Sequence, residues 1–105
     1  MGHAMPPEIM EQIRQEDWDE PRIKAAVSAQ RLRLMIARDY GLLSPPEAAA
    51  ALAHADQVGE AAMRERQMGG GGGIALSRLF EDVRINKICD RVTKALVDTI
   101  QETEG

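Results

Sequence analysis

Few residues in this chain have both the type and the spacing to do chemistry. Lys24, Arg31 and Arg38 recur at sevens, so on a helix they form one basic ridge. Such a ridge could hold an anionic substrate, an acidic protein or a phosphate backbone. From Pro21 to Arg38 there are five basic residues, with Arg22 and Arg33 beside those three, and no acidic one. Catalysis would also need a general base or nucleophile within reach, and the chain offers poor candidates. His54 stands without a second histidine or cysteine at ligand spacing. Cys89 lies in an apolar stripe without a neighbouring histidine, which suits a small core residue better than a thiolate. The run Gly69–Gly73 lacks the Lys-Ser/Thr that completes a phosphate-binding loop. We therefore expect no catalytic, cofactor-binding or metal-binding residues. The ridge is expected to contact a partner or, failing that, to be a solvated face whose aliphatic stems shield the core.

Composition narrows the classes further. The 105 residues suit a single small domain. Aromatics make up only 3% of the chain, leaving a core of Leu, Ile, Val, Met and Ala, as a helical bundle allows. A net charge of −4 argues against a nucleic-acid binder. The single cysteine excludes an intrachain disulfide and fits a reducing cytoplasm. No apolar run approaches the roughly 20 residues of a membrane-spanning helix, and no secretory signal opens the chain.

The elements that must position these residues read as helices. Residues 1–5 resemble a cloning remnant, with Met5 a native start. Residues 6–68 form a helical hairpin domain preceded by a short helix near Glu8–Glu16, whose stripe is Ile9, Met10 and Ile13. Trp18, in the turn that follows, is expected to plug the edge of the core. The helix over Pro21–Tyr40 carries one apolar face of Ile23, Ala26, Val27, Leu34 and Ala37 and another of Ala25, Ala29, Leu32, Ile36 and Tyr40. Two apolar faces predict a central, sandwiched helix. Ser44-Pro45-Pro46-Glu47 is a capping box with proline at the first helical position. It opens a helix to about Gln67 whose inner face, with Ala48, Ala51, Ala55 and Gly59, permits close packing on its neighbour.

The glycine run 69–73 reads as a linker, natural or engineered, since thirteen alanines fall in residues 1–68 and only two in 74–105. On that reading, a Gly/Ser replacement would leave stability unchanged. Residues 74–105 form an amphipathic C-terminal helix whose apolar stripe changes face, so that it either bends or breaks near Arg84-Ile85-Asn86 or touches two different bodies. Its seam of Ile85, Ile88, Val92, Leu96 and Ile100 is spaced by threes and fours. A seam of that length predicts contact with another helical body, either a second copy or a different protein.

These readings converge on an all-α bundle acting as a non-enzymatic protein-interaction module of adaptor, regulatory or chaperone-like kind, with a tethered partner helix as one form of it. The expected partner surface is Ile85, Ile88, Val92, Leu96 and Ile100 together with Lys24, Arg31 and Arg38. A nucleic-acid-binding regulator using the basic ridge, and a small helical enzyme holding an anionic substrate, are the two alternatives.

Overall fold

Two long helices, α2 (Glu20–Asp39) and α3 (Pro45–Gln67), make the antiparallel hairpin on which everything else rests in the computed structural model, which describes residues 5–104. The residues assigned to a cloning remnant lie outside that range except for Met5. The chain is an all-α bundle. Helix α1 (Pro7–Gln15) precedes the hairpin. A single turn α4 (Gly73–Leu76), a 3-10 turn (Ser77–Phe80) and the long α5 (Val83–Glu104) follow it.

The hairpin forms where its caps are. Asp19 accepts from the Arg22 N–H at 2.9 Å and starts α2. Ser44 and Glu47 make the reciprocal capping box of α3, Ser44 Oγ accepting from the Glu47 N–H at 3.3 Å and Glu47 Oε1 from the Ser44 N–H at 3.2 Å. Such caps satisfy amide groups that helix starts leave unpaired. Ala48, Ala55, Val58 and Ala62 are buried along α3, and an added Cβ at Gly59 would come within 3.0 Å of Val27 Cγ2. Small residues thus bring the two backbones together as the spacing predicts.

The hairpin is covered at its two ends by different elements. Near its closed end, Leu34, Ala37, Leu43 and Ala48 pack with Cys89 and Val92 of α5. Toward the open end, Ala55 and Val58 pack with Leu76 and Leu79, and Ile23 and Ala62 with Ala75. Trp18 touches both open-end clusters. It is held by donating from Nε1 to the Ile13 carbonyl at 3.0 Å, with the Arg22 guanidinium 4.1 Å over its ring. This is the plug expected from its position.

Three expectations need correction. The second face of α2 is covered only in part: Ile36 packs against the closed-end cluster, but Leu32 is 53% and Tyr40 80% exposed. α3, α4 and the base of α5 all gather on one side, and the covered side accommodates Gln30 at 2% exposure, its Oε1 accepting from Arg33 at 2.9 Å. The break in the last segment falls before Val83, not at Arg84–Asn86. Asp82 caps α5 through the Ile85 N–H at 3.1 Å, and buried Asn86 donates from Nδ2 to the Phe80 carbonyl at 2.6 Å. Together they fix a corner where periodicity alone placed only a bend.

The third correction concerns the glycine run, which is bound at several points and is not a free tether. The Trp18 N–H donates to the Gly71 carbonyl at 2.7 Å, and Asp17 and Gly72 form an isolated antiparallel bridge. The Glu65 carboxylate accepts from the N–H groups of Gly72 and Ala75, each at 2.9 Å. Gly72 has φ +83°, a left-handed conformation costly for other residues. A Cβ on Gly73 would sit 2.1 Å from the Ile13 carbonyl oxygen and 2.8 Å from that of Arg14. Backbone here lies directly on backbone. Gly73→Ala is accordingly expected to cost about 3 kcal/mol, the upper range for overpacking, measured by urea unfolding followed by circular dichroism. An unchanged midpoint would return the run to a tether.

Candidate partner-binding surface

Burial along α5 divides it in two. Cys89 and Val92 are buried at 3% and 4% exposure, and Ile85 and Ile88 pack against the same cluster. From Thr93 to Thr103 every residue is exposed. At 1.5 Å per residue the helix therefore runs on past its last buried residue for roughly 16 Å, an overhang that begins beside the end of α2. The stripe that packs the base continues along this overhang as Leu96 and Ile100, 44% and 56% exposed, and Val97 beside them is 45% exposed. Part of the seam expected to meet a partner, Ile85, Ile88 and Val92, is thus spent on the hairpin. Only Leu96 and Ile100 of that seam remain open.

The overhang is continuous with a groove of about 270 Å³ between the end of α2 and α5, lined by Ile36, Tyr40 and Leu42 on one wall and by Arg91, Val92, Ala95, Leu96 and Thr99 on the other. Tyr40 belongs to the α2 face that the fold leaves partly uncovered. Sequence reasoning gave that face to the interior and so missed it as surface. The signal available was the limited number of apolar residues left to cover two faces of α2.

The basic ridge is not a bare positive stripe. Lys24 pairs with Glu20 at 2.9 Å, Arg38 with Asp39 at 3.3 Å, and Arg31 with Asp56 of α3 at 2.8 Å. Arg31 also donates to the Leu52 carbonyl at 3.4 Å, tying the hairpin together. Each charge has a local acidic neighbour, which weakens the field available to an incoming anion. The ridge and the α5 overhang do not share a contact surface in the groove just described.

A larger cleft of about 560 Å³ lies between α3 and the corner before α5, lined among others by Glu47, His54, Arg78, Asp82 and Arg84. Its charges are mixed, and Arg84 is already engaged by Glu47. That guanidinium, with the Ser44 amide and hydroxyl, holds the Glu47 carboxyl below the usual carboxylate range. Burial pushes the Cys89 thiol up from its ordinary value, so a thiolate is disfavoured there. Among the described residues, no group of three His, Cys, Asp or Glu side chains is placed to hold a metal ion, and no helix is long and apolar enough to cross a membrane.

Fold and surface together define a small all-α bundle with one amphipathic helix running past its core. No family model matches this chain, and no curated protein or solved structure is significantly similar to it.

The Glu47 contacts carry a pH dependence whose sign is fixed by the lowered pKa. A depressed carboxylate contributes stability above its unfolded pKa, about 4.3 for Glu, and that contribution is lost as pH falls through the folded value. Glu47→Gln should therefore be less stable than the native chain at pH 7, with the difference shrinking below about pH 4. Urea midpoints across that range measure it, and a difference independent of pH would contradict the charge-based account.

Proposed function

We propose that this chain is a non-enzymatic helical interaction module whose working surface is the α5 overhang with the groove at its base. One observation carries this reading: the stripe that builds the core at Ile85, Cys89 and Val92 continues as Leu96 and Ile100 with nothing covering it. Large apolar side chains grouped on an exposed helix are the usual mark of a contact site. The local sequence strengthens it. Thr93, Val97, Thr99, Ile100 and Thr103 are β-branched, and such residues lower helix propensity. A helical end of this composition, without packing, is marginal in water. A partner that covers the stripe supplies the missing support. The module is proposed to work in the cytoplasm, in keeping with a single buried thiol.

The basic ridge is assigned a secondary part, since its charges are locally paired. Catalysis has less in its favour: the open cleft offers opposed charges already bound to one another, and the one thiol is shielded.

A photo-crosslinking residue placed at Leu96 or Ile100 in cells of the source organism tests the reading. Discrete covalent adducts are expected from those two positions and are expected to be absent or much weaker from Ala53 on the exposed side of α3. Adducts that do not depend on position, or none at all, would contradict it.

A further inference from the structure

Of the four residues of α4, Gly73, Ala75 and Leu76 are buried, and Ile74 is turned out at 62% exposure. Met68, at the C-cap of α3, is 87% exposed. Both line one groove of about 460 Å³ between α3 and α4, together with Ala61 and Ala75. Two arginines line the same groove, Arg64 of α3 and Arg78 of the 3-10 turn. Both are exposed, and among the described residues neither has an ion-pair partner. The carboxylate that lines the groove, Glu65, has its two oxygens taken by the amides of Gly72 and Ala75. It is thus turned to the backbone and leaves both arginines without an anion. An exposed apolar pair beside two such arginines suits a ligand that carries apolar side chains and negative charge together.

Shape decides between the ligands of that description. Arg78 also lines the larger cleft of about 560 Å³, so the two hollows adjoin at this residue. A bilayer presents a broad, level surface that reaches a hollow poorly. A peptide places single side chains into successive hollows. We propose that this trough binds an acidic segment of another protein, with an aspartate or glutamate on Arg64 and Arg78 and an apolar side chain against Met68 and Ile74. The acid belongs there and not in the larger cleft, which already holds Glu47, Glu81 and Asp82 and whose Arg84 is engaged by Glu47.

The net charge of −4 does not oppose this. Exposed charges are screened beyond about 8 Å at physiological salt, so a bound carboxylate meets chiefly the two arginines. The groove is also formed in advance. Glu65 and the pinned glycines fix α4 against α3, which lowers the ordering cost of binding. The trough shares no lining residue with the groove beside α5. It is a second contact face on the same bundle.

Peptides selected from a random library displayed on phage test this, with the full native chain as bait and the chain carrying Arg64→Glu and Arg78→Glu as counter-bait. Sequences retained only by the native chain are expected to combine Asp or Glu with a large apolar residue. For a synthetic peptide of that kind, titration calorimetry should show the dissociation constant raised about tenfold or more by the double exchange, and raised also by Ile74→Ser. The same peptide with its acids changed to Lys should bind the double-exchange chain better than the native one. Circular dichroism checks that each variant keeps the bundle, as expected for exposed side chains outside the core. If no sequence distinguishes the two baits, or if those that do lack acids, the proposal is overturned. Binding of the native chain to phosphatidylcholine vesicles containing phosphatidylserine, lost on the double exchange, would overturn the protein segment as occupant.

Discussion

The path of this chain depends on one backbone-on-backbone contact. Gly73 passes so close beneath the last turn of α1 that no side chain fits between it and the carbonyls of Ile13 and Arg14. The glycines just before it are pinned from both sides, by the Trp18 amide on the Gly71 carbonyl and by the Glu65 carboxylate on the amides of Gly72 and Ala75. Arg66, next to Glu65, donates to the Trp18 carbonyl and to Asp17 at 3.0 Å, closing the same junction from α3. Because the junction is fixed, Leu76 and Leu79 drop into the hairpin beside Ala55 and Val58. The corner at Asp82 then turns the chain, and α5 starts across the other end of the hairpin. A flexible tether would leave both the depth and the direction of α5 undetermined.

Much of this was legible in the residues. The capping box at Ser44–Glu47 announces α3 by local chemistry, and the alanine face of that helix announces a close neighbour. Both signals act over a few residues and survive any tertiary arrangement. What could not be read depends on contacts distant in sequence. The glycines look like a linker until Glu65, Trp18 and the end of α1 are brought against them. Gln30 interrupts an apolar stripe and is nonetheless buried, because Arg33 on the next turn satisfies its oxygen. The outer face of α2 has the pattern of a buried face, yet of its large side chains only Ile36 packs against the core, while Leu32 and Tyr40 stay exposed.

The partner surface was half legible for a related reason. Periodicity finds the seam from Ile85 to Ile100 but is blind to where the hairpin ends beneath it. The turn after Tyr40 decides that. Residues up to Val92 lie over the hairpin and become core, while Leu96 and Ile100 lie beyond it. One helix thereby joins folding to binding: its first half is anchored in the bundle and its second half presents the same stripe outward. The basic ridge, so evident in sequence, is quieter in three dimensions because Glu20, Asp39 and Asp56 lie against it.

Hydrogen exchange along α5, measured by mass spectrometry at several protein concentrations, addresses the central claim that this helix is core up to Val92 and contact surface beyond. Amides from Asn86 to Thr93 should be protected at every concentration. Those from Lys94 to Thr103 should exchange rapidly in dilute solution and become protected as the chain associates or a partner is added. Uniform protection of the whole helix in a dilute monomer would contradict the account, as would exposure of its second half under every condition.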